Sequence, residues 1–447
     1  MPAQPSDIPN IVQRNSSVMV KDGILSIKAN RLPRNCWLRN GNAYRRDTVN
    51  KLTNEGARAP VRHNELVEYI AASSILHCTD GWMFFSNAVE DLLNGDQSTS
   101  VFMAYYAQLR AVMSFFASEG IGIFKNKHFW FDNFKKPFFA RGGTHEFARD
   151  LLINWAKDAG RSEKIFDILK FENVIFSDWI SQAQILRGSS LVSILSSDWL
   201  RMWSIDLDVL TRDHELRNEV SYRPQGLFSY RKLGNVEKSL NLLLDIWRSA
   251  EPYGSNYFSV LDRHLLRNSL AWLFRQRTSK SPISSPRYYK FIETALLNLG
   301  MSINNDLYEF LIFKIEPQDH LVLKYAKKPG IRDGVIDVLP ILSRAFILLR
   351  IASASSEFLL KDGLITKGDM EFWWKDLGTE LGLWSSGNEP LLFSDLWEDI
   401  RDSLVTVDSW VANNKGSIDL FGLWQDMPLE LKQSAQFNKA GLWALGL

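Results

Sequence analysis

The stretch that decides the fold is residues 101–119, VFMAYYAQLRAVMSFFASE, in which apolar side chains recur at steps of three and four. That spacing places them on one broad face of an α-helix, where they can be buried together. Gly120 follows directly and can supply the left-handed backbone conformation that ends many helices. The stretch therefore predicts a core helix. Its apolar face consists of Phe102, Tyr105, Tyr106, Leu109, Val112, Met113 and Phe116.

The composition of the 447-residue chain is typical of a folded globular protein, with 45% hydrophobic and 23% charged residues. Its 52 basic and 51 acidic residues give a net charge of +1, so the overall charge indicates no class of partner. The two cysteines, Cys36 and Cys78, are too few for a disulfide framework, which favours an intracellular protein.

The first ten residues, MPAQPSDIPN, lack the basic segment and the apolar run of a secretory signal. The longest apolar region, 335–360, contains four charged residues, which favour a buried helix over a membrane span. We therefore expect a cytoplasmic protein without a membrane-spanning segment.

The N-terminal region, residues 1–62, is predicted to hold a β-hairpin followed by a basic loop segment. In 17–27, SVMVKDGILSI, apolar and β-branched residues flank Asp22-Gly23, and this dipeptide favours the tight turn between two short strands. Residues 31–62 contain eight basic and two acidic residues, a local charge of +6 (eight minus two).

From His63 onward the pattern is helical, and longer helices separated by short polar breaks follow Gly234. Pro224, Gly226 and Gly234 cluster between the two parts, as in a linker. The sequence thus predicts a mostly α, multi-helix protein. It has a helical bundle at 63–224 and a helical C-terminal domain at 235–447.

Residues 104–121, AYYAQLRAVMSFFASEGI, resemble a helix of the HEPN superfamily, whose members are small helical bundles. The resemblance rests on the aromatic pair Tyr105-Tyr106 near the start of the helix and on Gly120-Ile121 at its end. Lys125 to His128, just beyond the helix, add to it. The resemblance covers residues 64–224 and implies a HEPN-like central bundle.

Many HEPN proteins are ribonucleases that use an Arg, a polar residue and a His four to six residues beyond the Arg. The His can act as acid or base, and the Arg can stabilise a pentavalent phosphate. Arg217-Asn218 begins such a motif, but no His follows in 219–223. Arg58 and His63 have the spacing, but Pro60 between them disfavours a continuous helix. We interpret that match as chance, so the sequence indicates no catalytic residues.

The most polar helical segment, residues 206–223, has a face that turns from apolar to polar along its length. Such a face could line a phosphate or nucleotide pocket, or it could form a buried hydrogen-bond network between helices. We favour the structural network, because such networks imitate active sites. Its predicted members are His214, Arg217, Asn218 and Ser221.

Residues 261–290 carry seven basic residues and one acidic residue, a local charge of +6 (seven minus one). Basic side chains can contact phosphates and tyrosine rings can stack on bases, so this segment predicts a nucleic-acid surface. An equally supported alternative is a solvated loop that pairs with the segment 389–408, which has six acidic residues and one basic residue. The predicted contact residues are Arg275, Arg277, Lys280, Arg287, Tyr288, Tyr289 and Lys290.

No metal or cofactor is predicted. Cys36, His63, His77 and Cys78 lack the close spacing typical of metal ligands. The chain also has no glycine-rich phosphate loop and no nucleophile elbow, so neither nucleotide hydrolysis nor serine hydrolase chemistry is indicated.

The expected function is a non-catalytic interaction component of a bacterial multi-component complex, with protein partners and contact to RNA or DNA. The HEPN resemblance implies antiviral defence. The stretch 77–82, HCTDGW, is similar to an uncharacterised group of bacterial helical proteins, and that similarity implies no activity. The alternative is a HEPN-type, metal-independent ribonuclease. A homodimer is compatible with either function, since HEPN nucleases often form their cleft across a two-fold axis.

Overall fold

The fold is described by a computed structural model for residues 8–54, 63–183, 195, 198–222, 235–253, 256–303, 306–332 and 335–447. Within these residues the chain is mainly α-helical with a few short antiparallel strands. The predicted mostly α class is therefore confirmed. Arg58 and Arg62 of the basic loop segment lie outside the described residues.

The helices and strands of the described residues have the following bounds. The helices are α1 (Ile8–Arg14), α2 (Val18–Asn30), α3 (Thr48–Asn54), α4 (His63–Leu93), α5 (Gln97–Ser118), α6 (Thr144–Lys157), α7 (Ala159–Ser162), α8 (Ile165–Ile168), α9 (Phe176–Gln182), α10 (Trp199–Met202), α11 (Leu207–Tyr222), α12 (Val236–Ala250), α13 (Ser259–Thr278), α14 (Pro286–Asn298), α15 (Asp306–Leu311), α16 (Leu321–Ala326), α17 (Leu339–Asp362), α18 (Glu371–Glu380), α19 (Leu396–Asn413), α20 (Leu420–Asp426), α21 (Pro428–Ser434) and α22 (Asn438–Trp443). The strands are β1 (Gly122–Ile123), β2 (Lys127–Phe131), β3 (Pro137–Arg141), β4 (Lys170–Phe171), β5 (Val174–Ile175), β6 (Pro252–Tyr253), β7 (Asn256–Tyr257), β8 (Ile331–Arg332) and β9 (Val335–Ile336).

Helix α5, which contains the stretch 101–118, packs against α4 and α17 in the core of the protein. It begins after Asp96, whose Oδ1 accepts a hydrogen bond from the backbone N–H of Thr99 at 3.0 Å. Gly120 follows its end with a left-handed φ of +85°, as the sequence indicates. The predicted core helix is therefore confirmed.

Small polar side chains fill the contact among these three helices. Ser114 Oγ donates to the backbone oxygen of Ser74 at 2.7 Å, and Trp82 Nε1 donates to Ser353 Oγ at 3.0 Å. A Cβ on Gly81 would lie 2.7 Å from Leu349 Cδ2, so any larger residue there would displace the leucine. The helices can therefore approach closely while their buried polar groups remain hydrogen-bonded.

Helix α17 is long and apolar enough to cross a membrane by length and composition, but its apolar 18-residue window is 100% buried inside the protein. Two buried ion pairs connect it to its neighbours. Arg344 Nη2 lies 2.6 Å from Asp213 Oδ1 of α11, and Arg350 Nη2 lies 2.7 Å from Asp262 Oδ2 of α13. Two of the charges predicted to mark a buried helix, Arg344 and Arg350, are thus neutralised within the core.

The predicted N-terminal hairpin is wrong, because Val18–Asn30 forms helix α2 with Asp22-Gly23 inside it. Gly23 allows a close helix contact and does not form a turn. A Cβ at this position would lie 2.8 Å from Val67 Cγ1 and 2.9 Å from the Val67 backbone oxygen of α4. The buried face of α2 has helical spacing and consists of Met19, Val20, Gly23, Ile24 and Ile27.

The three-stranded sheet follows α5, where β1, β2 and β3 pair antiparallel in chain order. Gly122 pairs with Phe129, and Lys127 pairs with Arg141. The sheet matters for the site, because the turn between β1 and β2 presents Phe124 and Lys125 beside α5.

Residues from the three predicted domains meet in the core, since α2 packs on α4 and α17 packs on both α4 and α5. The predicted boundary residues 223–234 lie outside the part of the chain that the structure describes. The division into 1–62, 63–224 and 235–447 therefore stays a prediction.

Candidate functional site

A cleft with two chambers runs along the partly exposed side of α5. The first chamber has a volume of about 610 Å³, and the second has a volume of about 400 Å³. They share Tyr69, His77 and Arg110. Both volumes lie in the range of about 300–1,000 Å³ that is usual for small-molecule sites. The first chamber is also lined by Trp37, Arg45, Asp80 and Phe372, and the second by Tyr106, Phe124, Lys125, Thr144 and His145.

The first chamber has an aromatic wall. The Trp37 ring meets Phe372 edge-on at a centroid distance of 6.2 Å, and it meets Trp373 at 5.7 Å. Glu65 of α4 holds the loop that follows Trp37, because its Oε2 accepts from the backbone N–H of Ala43 at 2.7 Å. The aromatic wall therefore comes from two distant parts of the chain. One is the loop that Glu65 holds in place, and the other is helix α18.

The centre of the cleft is polar and consists of His77, Asp80 and Arg110. Arg110 Nη1 lies 2.8 Å from His77 Nδ1 and 3.5 Å from Asp80 Oδ2. A guanidinium group can only donate, so Nδ1 of His77 accepts and the imidazole proton resides on Nε2. Burial lowers the pKa of His77, and the Arg110 charge adds to this effect against the opposing effect of Asp80. A neutral imidazole thus lies beside a cation in the cleft.

The second chamber has aromatic rings from both α4 and α5. Tyr69 and Phe124 lie 5.8 Å apart by ring centroid, and Tyr106 lies 5.5 Å from Phe84, which is outside the chamber lining. Thr144 Oγ1 donates to the Phe124 backbone oxygen at 3.0 Å, which fixes the turn that carries the exposed Lys125. The chamber therefore offers flat apolar surfaces with a basic side chain at its edge.

Of the residues predicted to form a buried network, Arg217 and Asn218 are half-buried, whereas Ser221 is exposed and bonds only within its own helix. Arg217 Nη1 donates to Asn218 Oδ1 at 2.9 Å, and Ser221 Oγ donates to the Arg217 backbone oxygen at 2.7 Å. Arg217 Nη2 also donates to the Tyr106 hydroxyl at 2.7 Å, so the network connects α11 to α5. The guanidinium group lies 5.1 Å from the Phe102 ring centroid as well.

His214, the fourth predicted member, stacks on His145 at a centroid distance of 5.5 Å. His145 Nδ1 lies 3.2 Å from the Tyr105 hydroxyl. Burial lowers the pKa of His145 to about 4, with a further contribution from the Arg217 charge, and burial lowers the pKa of His214 as well. Both imidazoles are therefore neutral at pH 7. His145 lines the second chamber, and His214 lies behind it.

The predicted nucleic-acid surface lies at the end of α13, in the following loop and at the start of α14. Arg275, Lys280, Arg287 and Lys290 are exposed, whereas Arg277 and Tyr289 are half-buried. These residues thus form a basic edge of the protein, and their contact with nucleic acid stays a prediction.

Tyr288 is a correction to that prediction, because its side chain is fully buried. Its hydroxyl donates to the Leu311 backbone oxygen at 3.2 Å, and its ring lies 5.1 Å from Phe274. Ser285 caps α14 and Pro286 begins it, which places Tyr288 on the buried face together with Phe291. The Tyr288 ring is therefore unavailable for stacking on a base.

The acidic segment 389–408 forms ion pairs with bases outside the basic edge. Asp408 Oδ2 lies 3.0 Å from Arg248 Nη2, and Asp399 Oδ2 lies 3.9 Å from Lys439 Nζ. These two carboxylates are thus engaged elsewhere in the chain. Pairing of the basic edge with the other carboxylates of 389–408 stays a prediction.

Among the described residues, no group of three or more His, Cys, Asp or Glu side chains is arranged to hold a metal ion. Cys36 lies in the first chamber and is half-buried. Burial raises the pKa of the Cys78 thiol to about 11, so this cysteine is a protonated core residue.

Sequence reasoning missed the residues at the centre of the cleft, namely His77, Asp80 and Arg110. One signal was present, because Arg110 follows Tyr106 by one helical turn and interrupts the apolar face of α5. No family model, curated protein or solved structure matches this chain. The HEPN resemblance of 104–121 stays a prediction.

Proposed function

We propose that the protein is a nucleic-acid-binding component of an intracellular complex and that a single strand binds in the two-chambered cleft. The observation that carries this proposal is the combination of aromatic rings and an arginine in one cleft. Aromatic rings stack on bases of any sequence, and cations neutralise the phosphates between them.

The charge of the cleft supports the proposal. Arg45, Arg110 and Lys125 contribute three positive charges at its walls, against the single carboxylate of Asp80. The polar contacts described for Arg110 all use Nη1, which leaves Nε and Nη2 for an anion. The basic edge at 275–290 is a second proposed contact, for a longer strand or an acidic partner protein.

The cellular role of this binding activity is part of the same proposal. The HEPN resemblance supports a role in a bacterial antiviral complex in the cytoplasm, and a homodimer would be consistent with it. We propose a non-catalytic role, since the sequence motif of the nucleases is incomplete at 217–223.

A metal-independent ribonuclease is the second candidate, and the contact between His77 and Arg110 favours it. In this candidate the Nδ1 atom of His77 would release Arg110 and take the proton of a 2′-hydroxyl, and the guanidinium group would stabilise the charge that develops on the phosphate. This activity would require RNA in the cleft. RNA that is recovered intact after prolonged incubation without metal would eliminate this candidate.

Replacing Arg110 by glutamine should weaken binding of a single-stranded oligonucleotide. A hydrogen bond to a charged group is worth about 1.5–3 kcal/mol, so we expect an affinity loss of about 10- to 150-fold. Loss of one phosphate contact should also reduce the slope of log affinity against log salt by about 0.7. Fluorescence anisotropy with a labelled oligonucleotide over a range of salt concentrations measures both quantities.

The matched control is Arg248→Gln, which removes an exposed arginine outside the cleft. We expect this variant to bind like the wild type. Equal losses in the two variants would refute the assignment to the cleft. A wild-type protein that binds neither RNA nor DNA at low salt would refute the function as a whole.

A further inference from the structure

We infer that the cleft is built for two consecutive nucleotides, with one base in each chamber and the linking phosphate at Arg110. This inference rests on the proposed function and names the ligand unit of that site. It goes beyond general affinity for a single strand, because it fixes how much of the strand the cleft holds.

The division of the cleft supports a two-nucleotide unit. Each chamber has its own aromatic surface, formed by Trp37 and Phe372 in the first and by Tyr106 and Phe124 in the second. Each chamber alone is large enough for one base and its sugar, by the usual range of about 300–1,000 Å³ for ligand pockets. The bases of a bound strand would therefore be separated from one another and not stacked together.

The junction between the chambers is chemically suited to a phosphodiester. Arg110 lies at this junction together with Tyr69 and His77. A phosphodiester carries one negative charge, and the guanidinium group can donate to two of its oxygens at once. His77 also lies here and can donate through Nε2 to the same group, because its Nδ1 accepts from Arg110.

The second base should add strongly to the affinity, whereas later bases should add little. Stacking of a base on an aromatic side chain is worth about 1–3 kcal/mol, which corresponds to about 5- to 150-fold in affinity. We therefore expect this increase between a 5′-phosphorylated uridine mononucleotide and the corresponding dinucleotide. Between the dinucleotide and an octanucleotide, we expect a change of less than about threefold at a salt concentration that suppresses the basic edge.

The experiment is a titration of the full chain with uridylates of one, two, four and eight nucleotides. Binding is measured by calorimetry or by tryptophan fluorescence. Trp37→Ala and Phe124→Ala should each reduce dinucleotide affinity toward that of the mononucleotide. Trp410→Ala is the matched control, since this half-buried tryptophan lies outside the cleft and binds Asp426. Thermal unfolding of each variant shows whether it is folded, and the wild-type length series does not depend on the variants.

The outcomes separate this inference from the function on which it rests. An affinity that rises steadily to eight nucleotides, or that is already complete with one, would overturn the two-nucleotide unit but leave nucleic-acid binding in place. Failure of every length to bind would remove both. The inference would be supported by an increase in affinity from one to two nucleotides that is lost in Trp37→Ala and kept in Trp410→Ala.

Discussion

Replacing Asp213 by alanine should lower the free energy of unfolding by about 3–5 kcal/mol, because it leaves a buried arginine without its counter-charge. Asp213 and Arg344 are both fully buried. The carboxylate accepts from Arg344 Nη2 at 2.6 Å and from Nε at 2.8 Å, and Gln108 Nε2 donates to it at 3.1 Å. One side chain therefore connects α11, α17 and α5. The measurement is urea unfolding of the variant beside the wild type.

Asp408→Ala is the matched control, since it breaks an exposed ion pair with Arg248. Surface pairs are worth about 0–1 kcal/mol, so this variant should unfold close to the wild type. Replacing both members of the buried pair, as Asp213→Leu with Arg344→Met, should recover much of the lost stability, because no buried charge remains. If Asp213→Ala proved as mild as Asp408→Ala, the connection between the three helices would not depend on this pair.

Acidification from about pH 6.5 to pH 4 should destabilise the protein strongly through two buried histidines, by about 3 kcal/mol each. Burial lowers the pKa of His128 to about 4 and that of His264 to about 2. In this pH window the unfolded chain binds protons that the folded chain does not, so stability falls as pH falls. Burial raises the pKa of Asp91 to about 6, and this carboxyl acts in the opposite sense.

The hydrogen-bond partners of His128 favour the neutral form of its imidazole. Its Nδ1 accepts from the backbone N–H of Phe124 at 3.2 Å, and its Nε2 donates to the Gly142 backbone oxygen at 3.1 Å. A proton on Nδ1 would face another donor. The ring also stacks on Phe147 at a centroid distance of 3.7 Å, so His128→Phe keeps a flat apolar ring in this place.

Unfolding free energies measured across this pH range should show a shallower acid loss in His128→Phe than in the wild type. The NMR titration of His128 in the wild type should have its midpoint near pH 4. Equal slopes in the two proteins, together with a titration midpoint near the ordinary histidine value of about 6.5, would contradict this explanation.

The sequence was sufficient to predict a helix whose buried face follows from the spacing of its own apolar residues. The spacing of apolar residues in 101–119 requires only the helical period, and α5 lies where this pattern predicts. The prediction of an N-terminal hairpin is wrong because Asp-Gly favours a turn but can also lie inside a helix, as it does in α2. In α2 the glycine faces Val67 instead, and the requirement for close packing comes from a helix more than 40 residues away.

The candidate site was hidden for a similar reason. Trp37, His77, Arg110 and Phe372 come from four separate parts of the chain, and no spacing in the sequence brings them together. Arg217, Asn218 and Ser221 lie on one helix, so a local pattern can place them together, but it does not show that Arg217 reaches Tyr106 of α5. Tyr288 could have been placed correctly, since Ser285-Pro286 marks a helix start and fixes the phase of the residues that follow.

The most direct test of the central claim is ultraviolet crosslinking of the full chain to a single-stranded oligonucleotide that contains a photoreactive uridine. Mass spectrometry of the digested complex then identifies the crosslinked peptides. We expect crosslinks to peptides that contain Trp37, Tyr69 or Phe124, which line the two chambers. Crosslinks confined to residues 275–290, or to any surface apart from the cleft, would contradict the assignment of nucleic-acid binding to this site.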